Sequence, residues 1–426
     1  MSTAPKPKVL FFAPVLEYPP AGGPQLSVIN AIKVLHRISE LHIVTTVPRA
    51  DIASAQAQAF LKSHCHALVY APTSRWASRH RFTNRAIRKL MRMAKGLAAR
   101  FDVPFVVDYA QRIGIELFWI DRVIEHAFGV FHRLRRTLPK ALIVGDTEAV
   151  HSRFVLREVP MIVNPLRRAL VERRGRRAQR EEAELVNSAD AVTAVSEIDA
   201  DYFRALARQP SRVRRFSNVV DVEDYITVPP EALSLKQPRI LLLGSFGHVN
   251  SPMDRAARWL GEEIMPLVWQ KVPEAHLYII GRNSQHTQAQ LNGPNVTVVG
   301  QVPSVLAYLK EAAATLVPLK YESGTRFKIV ESGAAAVACV STTLGAEGLD
   351  VTDGVDILIA DDAKGFADAV IRLLSDPALR SSVAEGLHRL VLAKYSLDQQ
   401  TREGISILSY LGLTDAAASG LSVPAQ

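Results

Sequence analysis

The chain has 426 residues, with 51 Lys and Arg against 42 Asp and Glu and a net charge of +9. At about 100–200 residues per domain this is two or three domains, each large enough for a core. The 48 % apolar and 22 % charged residues exclude a disordered chain, and no apolar stretch approaches the ~18–20 residues of a membrane-crossing helix.

The charge is local. Between Arg75 and Arg100 stand nine Lys and Arg and no acid, so the rest of the chain sums to zero. A second cluster, Arg167 to Arg180, holds seven Arg and one acid, Glu172. Two basic patches on a neutral-to-acidic body argue against a nucleic-acid binder. The two cysteines, Cys65 and Cys339, permit no disulfide framework and no CxxC metal site, as expected in a reducing compartment. The first eight residues lack a signal-peptide pattern, and a cytoplasmic location is expected.

In chain order, the apolar run 9–13 is followed by the Pro/Gly loop 14–24. A helical pattern comes next (Leu26, Ile29, Ile32, Val34, Leu35), then a second run at 41–47. Strand, loop, helix and strand make the unit of a parallel sheet. Further strands are predicted at 67–70, 105–107, 141–144 and 191–195. His64-Cys-His66 could place two imidazoles on one face, but no third metal ligand is evident, so no metal is expected. At 85–98, apolar residues (Ala86, Ile87, Leu90, Met91, Ala94, Leu97, Ala98) alternate at helical spacing with Arg85, Arg88, Lys89, Arg92 and Lys95. Two readings stand: a helix with a solvated basic face, or a face drawn to anionic lipid, which Trp76 and Phe82 would suit.

The pattern then restarts. A strand at 239–243 enters Gly244-Ser-Phe-Gly247, and a helix with Ala256, Leu260, Ile264 and Leu267 follows. Strands are predicted at 276–280, 296–299, 314–317, 338–340 and 357–359. The expected architecture is α/β, two doubly wound Rossmann-like lobes facing a central cleft at the carboxyl ends of their sheets. The lobes are 1–216 and 217–395, joined across 217–238 with its Pro229-Pro230. Residues 396–426 form a helix returning to the first lobe and a disordered tail. No G-x-G-x-x-G follows either first strand, which disfavours a dinucleotide oxidoreductase.

The richest chemistry lies at 321–331. A strand ends at Pro318, and a Gly-containing loop leads to a helix predicted to start near Thr325 as cap. A helix start with free N–H groups favours phosphate. Arg326 and Lys328 oppose the helix dipole unless an anion sits there, and Glu331 could accept hydrogen bonds from a ribose diol. An ordinary capped helix with a salt-bridged surface is the other reading. In the first half, Gly145-Asp-Thr-Glu-Ala-Val-His-Ser-Arg153 follows a strand. Asp146, Glu148 and His151 could bind hydroxyls or assist proton transfer, or simply start a helix, with Asp146 or Thr147 as its cap.

The stretch Glu322-Ser-Gly-Thr-Arg-Phe-Lys-Ile-Val-Glu-Ser is followed by Ala338-Cys-Val-Ser-Thr-Thr-Leu-Gly-Ala-Glu-Gly-Leu. Together they resemble the donor signature of family 4 glycosyltransferases, of GT-B fold, which in one branch reads close to G-S-G-T-R-x-K-I-x-E-A and then P-V-V-S-T-x-x-G-A-E-G-L. Pro19-Pro-Ala-Gly-Gly23, Asn187-Ser-Ala-Asp-Ala-Val-Thr-Ala-Val-Ser-Glu197, Asn218-Val-Val-Asp221 and Ile240-Leu-Leu-Leu-Gly-Ser-Phe-Gly-His248 agree in order. The resemblance covers most of residues 8–400 and is weakest at 50–135.

It implies transfer of a sugar from a UDP- or GDP-linked donor to a glycan or lipid-linked acceptor, with retention and without metal or other cofactor. The acceptor hydroxyl would attack on the leaving-group face and pass its proton to the departing phosphate. By position, Glu331 would bind the ribose, and Ser323, Gly324 and Thr325 would offer amides to the diphosphate or sugar. Arg326 and Lys328 would stabilise the leaving diphosphate. Gly22 and Gly23 would allow close backbone approach. The family often has a glutamate where Ser323 stands, and a glycine where Val219 stands. Basic residues often follow the first strand of the second lobe; here that loop has Ser245 and His248. The expected setting is surface polysaccharide or glycolipid synthesis at the inner face of a membrane, bound peripherally through 75–100 and, as a second candidate, 166–180. A nucleotide-sugar epimerase of the same fold and a non-catalytic binding protein are the alternatives.

Overall fold

The computed structural model describes residues 5–72, 101–226, 233, 235–247 and 249–414. The basic segment 75–100, Pro229-Pro230, His248 and the tail from 415 onwards lie outside them.

The chain divides into two compact units. The first comprises residues 1–20, 24–217 and 400–426, the second 21–23 and 218–399. The first holds a seven-stranded sheet in the order β3-β2-β1-β4-β5-β6-β7. Its strands are β1 (Lys8–Ala13), β2 (Glu40–Thr45), β3 (Ala67–Tyr70), β4 (Leu117–Ile120), β5 (Leu142–Gly145), β6 (Ala191–Ala194) and β7 (Val213–Arg215). All neighbours run parallel. The second unit holds six strands, in the order β10-β9-β8-β11-β12-β13. They are β8 (Arg239–Leu243), β9 (His276–Ile280), β10 (Val296–Gly300), β11 (Ala314–Val317), β12 (Cys339–Ser341) and β13 (Leu358–Ile359). The central strands are continuous apolar runs because helices cover both faces of such sheets, and Val9 to Ala13 and Ile240 to Leu242 have no exposed surface.

Each sheet reverses its winding once, between β1 and β4 in the first unit and between β8 and β11 in the second. The loops leaving the carboxyl ends of those four strands frame the crevices where such sheets bind ligands.

One strand is misread from sequence. Residues 105–107 belong to a helix, α1 (Val103–Ile113). Asp102 caps it by accepting from the Phe105 N–H at 3.3 Å, and Gly114, at φ 74°, ends it. The buried set Val103, Val106, Val107 and Ala110 has helical period. The strand at this place in the order is β4, four residues later than Ile113. Its indole, Trp119, has no exposed surface.

Candidate functional site

In the second unit the decisive loop runs from β11 to helix α2 (Phe327–Ala334). The helix cap falls one residue later than the sequence suggests. Arg326 is its N-cap and offers no side-chain cap. Thr325 instead accepts a hydrogen bond from Asn218 Nδ2 at 2.9 Å, fixing the loop to the first residue of the long segment 218–399 of this unit. Gly324 has φ 81°, a conformation that strains any side chain. It turns the chain so that Ser323, Gly324 and Thr325 arrive as a tight bend at the helix start. Tyr321 donates to the Asn250 carbonyl at 2.5 Å. This ties the bend to the loop after β8, so both loops of the switch point are joined.

Arg326 is buried and donates to the Leu344 carbonyl at 3.2 Å. The second signature stretch therefore supports the first. Thr342 accepts from the Gly345 N–H at 2.9 Å and donates to the Leu319 carbonyl at 2.6 Å, bracing the same loop. Lys328 lies in the first turn of α2. Its ammonium meets the Met253 sulfur, a weak acceptor, at 3.0 Å. Among the described residues it forms no ion pair. Burial lowers its pKa to about 8, only partly offset by Glu322. A desolvated ammonium at a helix start is opposed by both dipole and burial, and an anion would satisfy both. Glu331, one turn further on, accepts from the Tyr225 hydroxyl at 2.9 Å. Burial raises its pKa while Tyr225 holds it down. Gly23, grouped with this unit, lies where a Cβ would be 3.1 Å from Phe327 Cδ2, so a larger residue there would press on α2. Gly22 precedes it in the same short stretch.

In the first unit, the segments after β4 and β5 bring together the residues expected to bind hydroxyls or assist proton transfer, and add three that the sequence reading missed. Asp146 does not cap a helix. It accepts from Trp119 Nε1 at 2.7 Å and from the Thr193 hydroxyl, joining β4, β5 and β6. Thr147 also turns inward, donating to the Thr193 carbonyl at 2.6 Å. The helix α3 (His151–Glu158) begins later, behind Val150, with no side-chain cap. Asp146 is thus buried in internal hydrogen bonds, the condition under which a carboxyl tolerates burial.

Glu148 pairs with Arg122, which also donates to Glu125 at 3.0 Å. His151 Nδ1 lies 3.5 Å from Glu125 Oε1. Burial pushes Glu125 upward, but the adjacent His151 and the Arg122 charge override it and hold the pKa at about 2. Asp121 is buried next to Asp146, and desolvation followed by that like charge raises its pKa well above the ordinary range. Asp121, Arg122 and Glu125 escape the sequence reading because β4 does. Four apolar residues between Gly114-Ile-Glu116 and Asp121-Arg122 were the available signal.

The second basic patch lies on helix α4 (Pro165–Ser188). Val163, Leu166 and Leu170 are 92 %, 82 % and 64 % exposed. Leu166, Leu170, Arg173 and Arg177 follow one another at helical spacing, so apolar and cationic groups share a face. No described helix is long and apolar enough to cross a membrane.

Comparison with known proteins bears on both units. Residues 237–376 match the family model described as Glycosyl transferases group 1. Sucrose-phosphate synthase from Thermosynechococcus elongatus superposes with a TM-score of 0.68 at 17 % identity, over 96 % of this chain and 99 % of that one. Anabaena HepE in complex with UDP gives 0.63 at 13 % identity, over 94 % and 99 %. WaaG, a glycosyltransferase involved in lipopolysaccharide biosynthesis, gives 0.59 at 14 % identity, over 95 % and 100 %. The fold is GT-B. The matched span lies within the second unit and includes the loop 318–326, Lys328 and Glu331. No curated protein sequence matches the chain.

Proposed function

We propose that this protein is a retaining, metal-independent glycosyltransferase, moving a sugar from a nucleoside diphosphate to a glycan or lipid-linked acceptor in surface polysaccharide or glycolipid synthesis. The observation that carries the reading is Lys328, a half-buried ammonium without an ion-pair partner among the described residues, in the first turn of α2 beside buried Arg326. Two phosphates supply the missing charge. Glu331 takes the ribose hydroxyls, and the amides of Ser323, Gly324 and Thr325 take phosphate or sugar oxygens. The HepE complex with UDP and the group 1 family match support the same donor class.

In the reaction, the bond from the anomeric carbon to the β-phosphate oxygen breaks. The acceptor oxygen bonds to that carbon on the same face, and its proton passes to the departing phosphate. Negative charge grows on the diphosphate as the bond breaks, so Arg326 and Lys328 act most strongly in the transition state. These two fixed cations do the work that a metal does elsewhere. His151 and Glu148 belong to the acceptor side, with Asp146 bracing the strands behind them, and His151, in contact with Glu125, presents its ring to hydroxyls. The exposed face Val163–Leu166–Leu170 with the arginines of α4 rests on the anionic cytoplasmic leaflet.

The test is product analysis. UDP- and GDP-sugars are incubated with the protein, with and without a lipid-linked acceptor, and followed by proton NMR. Transfer with an unchanged anomeric configuration is expected. Sugar interconversion without acceptor would make the protein an epimerase, and an unchanged donor under all conditions would make it a binding protein.

A further inference from the structure

The histidine triplet 64–66 is not one cluster. The Cys65 thiol donates to the Leu61 carbonyl at 3.0 Å, and the His64 ring stacks on Phe60 at 4.4 Å. His66 turns the other way, to the amino-terminal end of the first sheet. There its imidazole lies 3.9 Å from Glu40 Oε1. His42 Nε2 is 3.1 Å from the same oxygen. One ligand atom from each of the three residues falls within 4.8 Å of the others. We propose that Glu40, His42 and His66 form a binding site for a divalent transition ion of the zinc type.

The backbone holds the three side chains in place. Glu40 and His42 are alternate residues of β2 and so project from one face. His66 immediately precedes β3, whose register pairs Ala67 with His42, and its own N–H donates to the Leu41 carbonyl at 2.7 Å. Two imidazoles and a carboxylate are a common set for zinc-type ions, with ligand bonds of about 2.0–2.2 Å. Around a tetrahedral ion such ligands stand roughly 3.3 Å from each other. The Glu40–His42 spacing already fits. His66, whose side chain is 63 % exposed, closes the remaining gap by rotating, and solvent fills the open position.

Tyr109 provides the outer support that metal-bound histidines need. Its hydroxyl is 2.7 Å from His42 Nδ1. In the ion-free arrangement the hydroxyl donates to Nδ1 while Nε2–H faces Glu40. With the ion bound to Nε2, the ring carries its proton on Nδ1 and donates to Tyr109, so no net proton is lost from the imidazole. Lys8 Nζ, 3.9 Å from Glu40 Oε1, makes only a long contact there and donates to the Ile113 carbonyl at 3.1 Å. In a parallel sheet the starts of β2 and β3 lie at the opposite end from the loops after β1 and β4. The ion is therefore structural, clamping edge strand β3 to its neighbour, and is separate from the transfer chemistry.

The experiment titrates Zn²⁺ into the chelator-treated full-length protein by calorimetry, with Co²⁺ absorption as a second readout. Wild type is expected to bind one saturable equivalent that His66→Ala and Glu40→Gln weaken tenfold or more. Tyr109→Phe should weaken it about tenfold, and His64→Ala should leave it unchanged. Exposed His66 can be replaced without loss of fold, checked by an unchanged Tm without metal. Absence of a stoichiometric equivalent, or equal binding by wild type and His66→Ala, would overturn the site.

Discussion

At the strand ends of the first unit, charges meet in pairs: Arg122 with Glu125 and Glu148, and His151 with Glu125. At the strand ends of the second unit, Lys328 is half-buried and meets a sulfur atom. The first arrangement pairs its one arginine with two carboxylates and suits uncharged hydroxyls, which need oriented donors and acceptors rather than a surplus of positive charge. The second is short of negative charge and suits an anion. One architecture thus yields two chemistries, because the sheets position loops while the loops' few side chains decide what is held.

Substitutions should separate the two. The largest effect is expected at Arg326 in the second unit. Arg326→Gln should lower kcat by about 10²–10³-fold, as for loss of a group that stabilises transition-state charge, while the donor Kd moves less than tenfold. Equal losses in both would make it a binding residue. Lys328→Ala removes a charge-assisted contact of about 1.5–3 kcal/mol, so nucleoside diphosphate affinity should fall by roughly 10- to 150-fold. In the first unit Glu125→Gln releases His151, and kcat/KM for the acceptor should fall about 10–100-fold with donor affinity unchanged. A loss of donor affinity there would erase the division of labour between the units. The smallest effect concerns the membrane. Replacing Leu166 and Leu170 by Ser should abolish sedimentation with anionic vesicles and spare turnover on a soluble acceptor. Unchanged sedimentation would remove α4 from the interface.

How far sequence led differs in the same way between the units. In the second unit β8, β9 and β11 have the predicted bounds, since each is wholly buried and mostly apolar. The donor loop is contiguous, so its residues were visible together. Only its local geometry was hidden: Thr325 bonds Asn218, more than a hundred positions earlier. In the first unit the site is assembled from the loops after two strands. Misassigning 105–107, where Asp102, Pro104 and Gly114 mark a helix, concealed β4 and with it Asp121, Arg122 and Glu125. Glu40, His42 and His66 were hidden for the same reason, because strand pairing and not sequence proximity joins them.

The central claim is that Lys328 waits for a diphosphate, and its pH dependence tests this most directly. With a pKa of about 8 in the free protein, the ammonium is charged below that value and lost above it. A bound diphosphate favours the charged form and holds the proton to higher pH. Binding should therefore be full at pH 7 and about tenfold weaker per unit above pH 8. Calorimetric titration of UDP and GDP at pH 7 and pH 9 should show one of them binding saturably at pH 7, about tenfold weaker at pH 9, with the difference abolished in Lys328→Gln. Affinity independent of pH in wild type, or no binding of either nucleotide, would contradict the account.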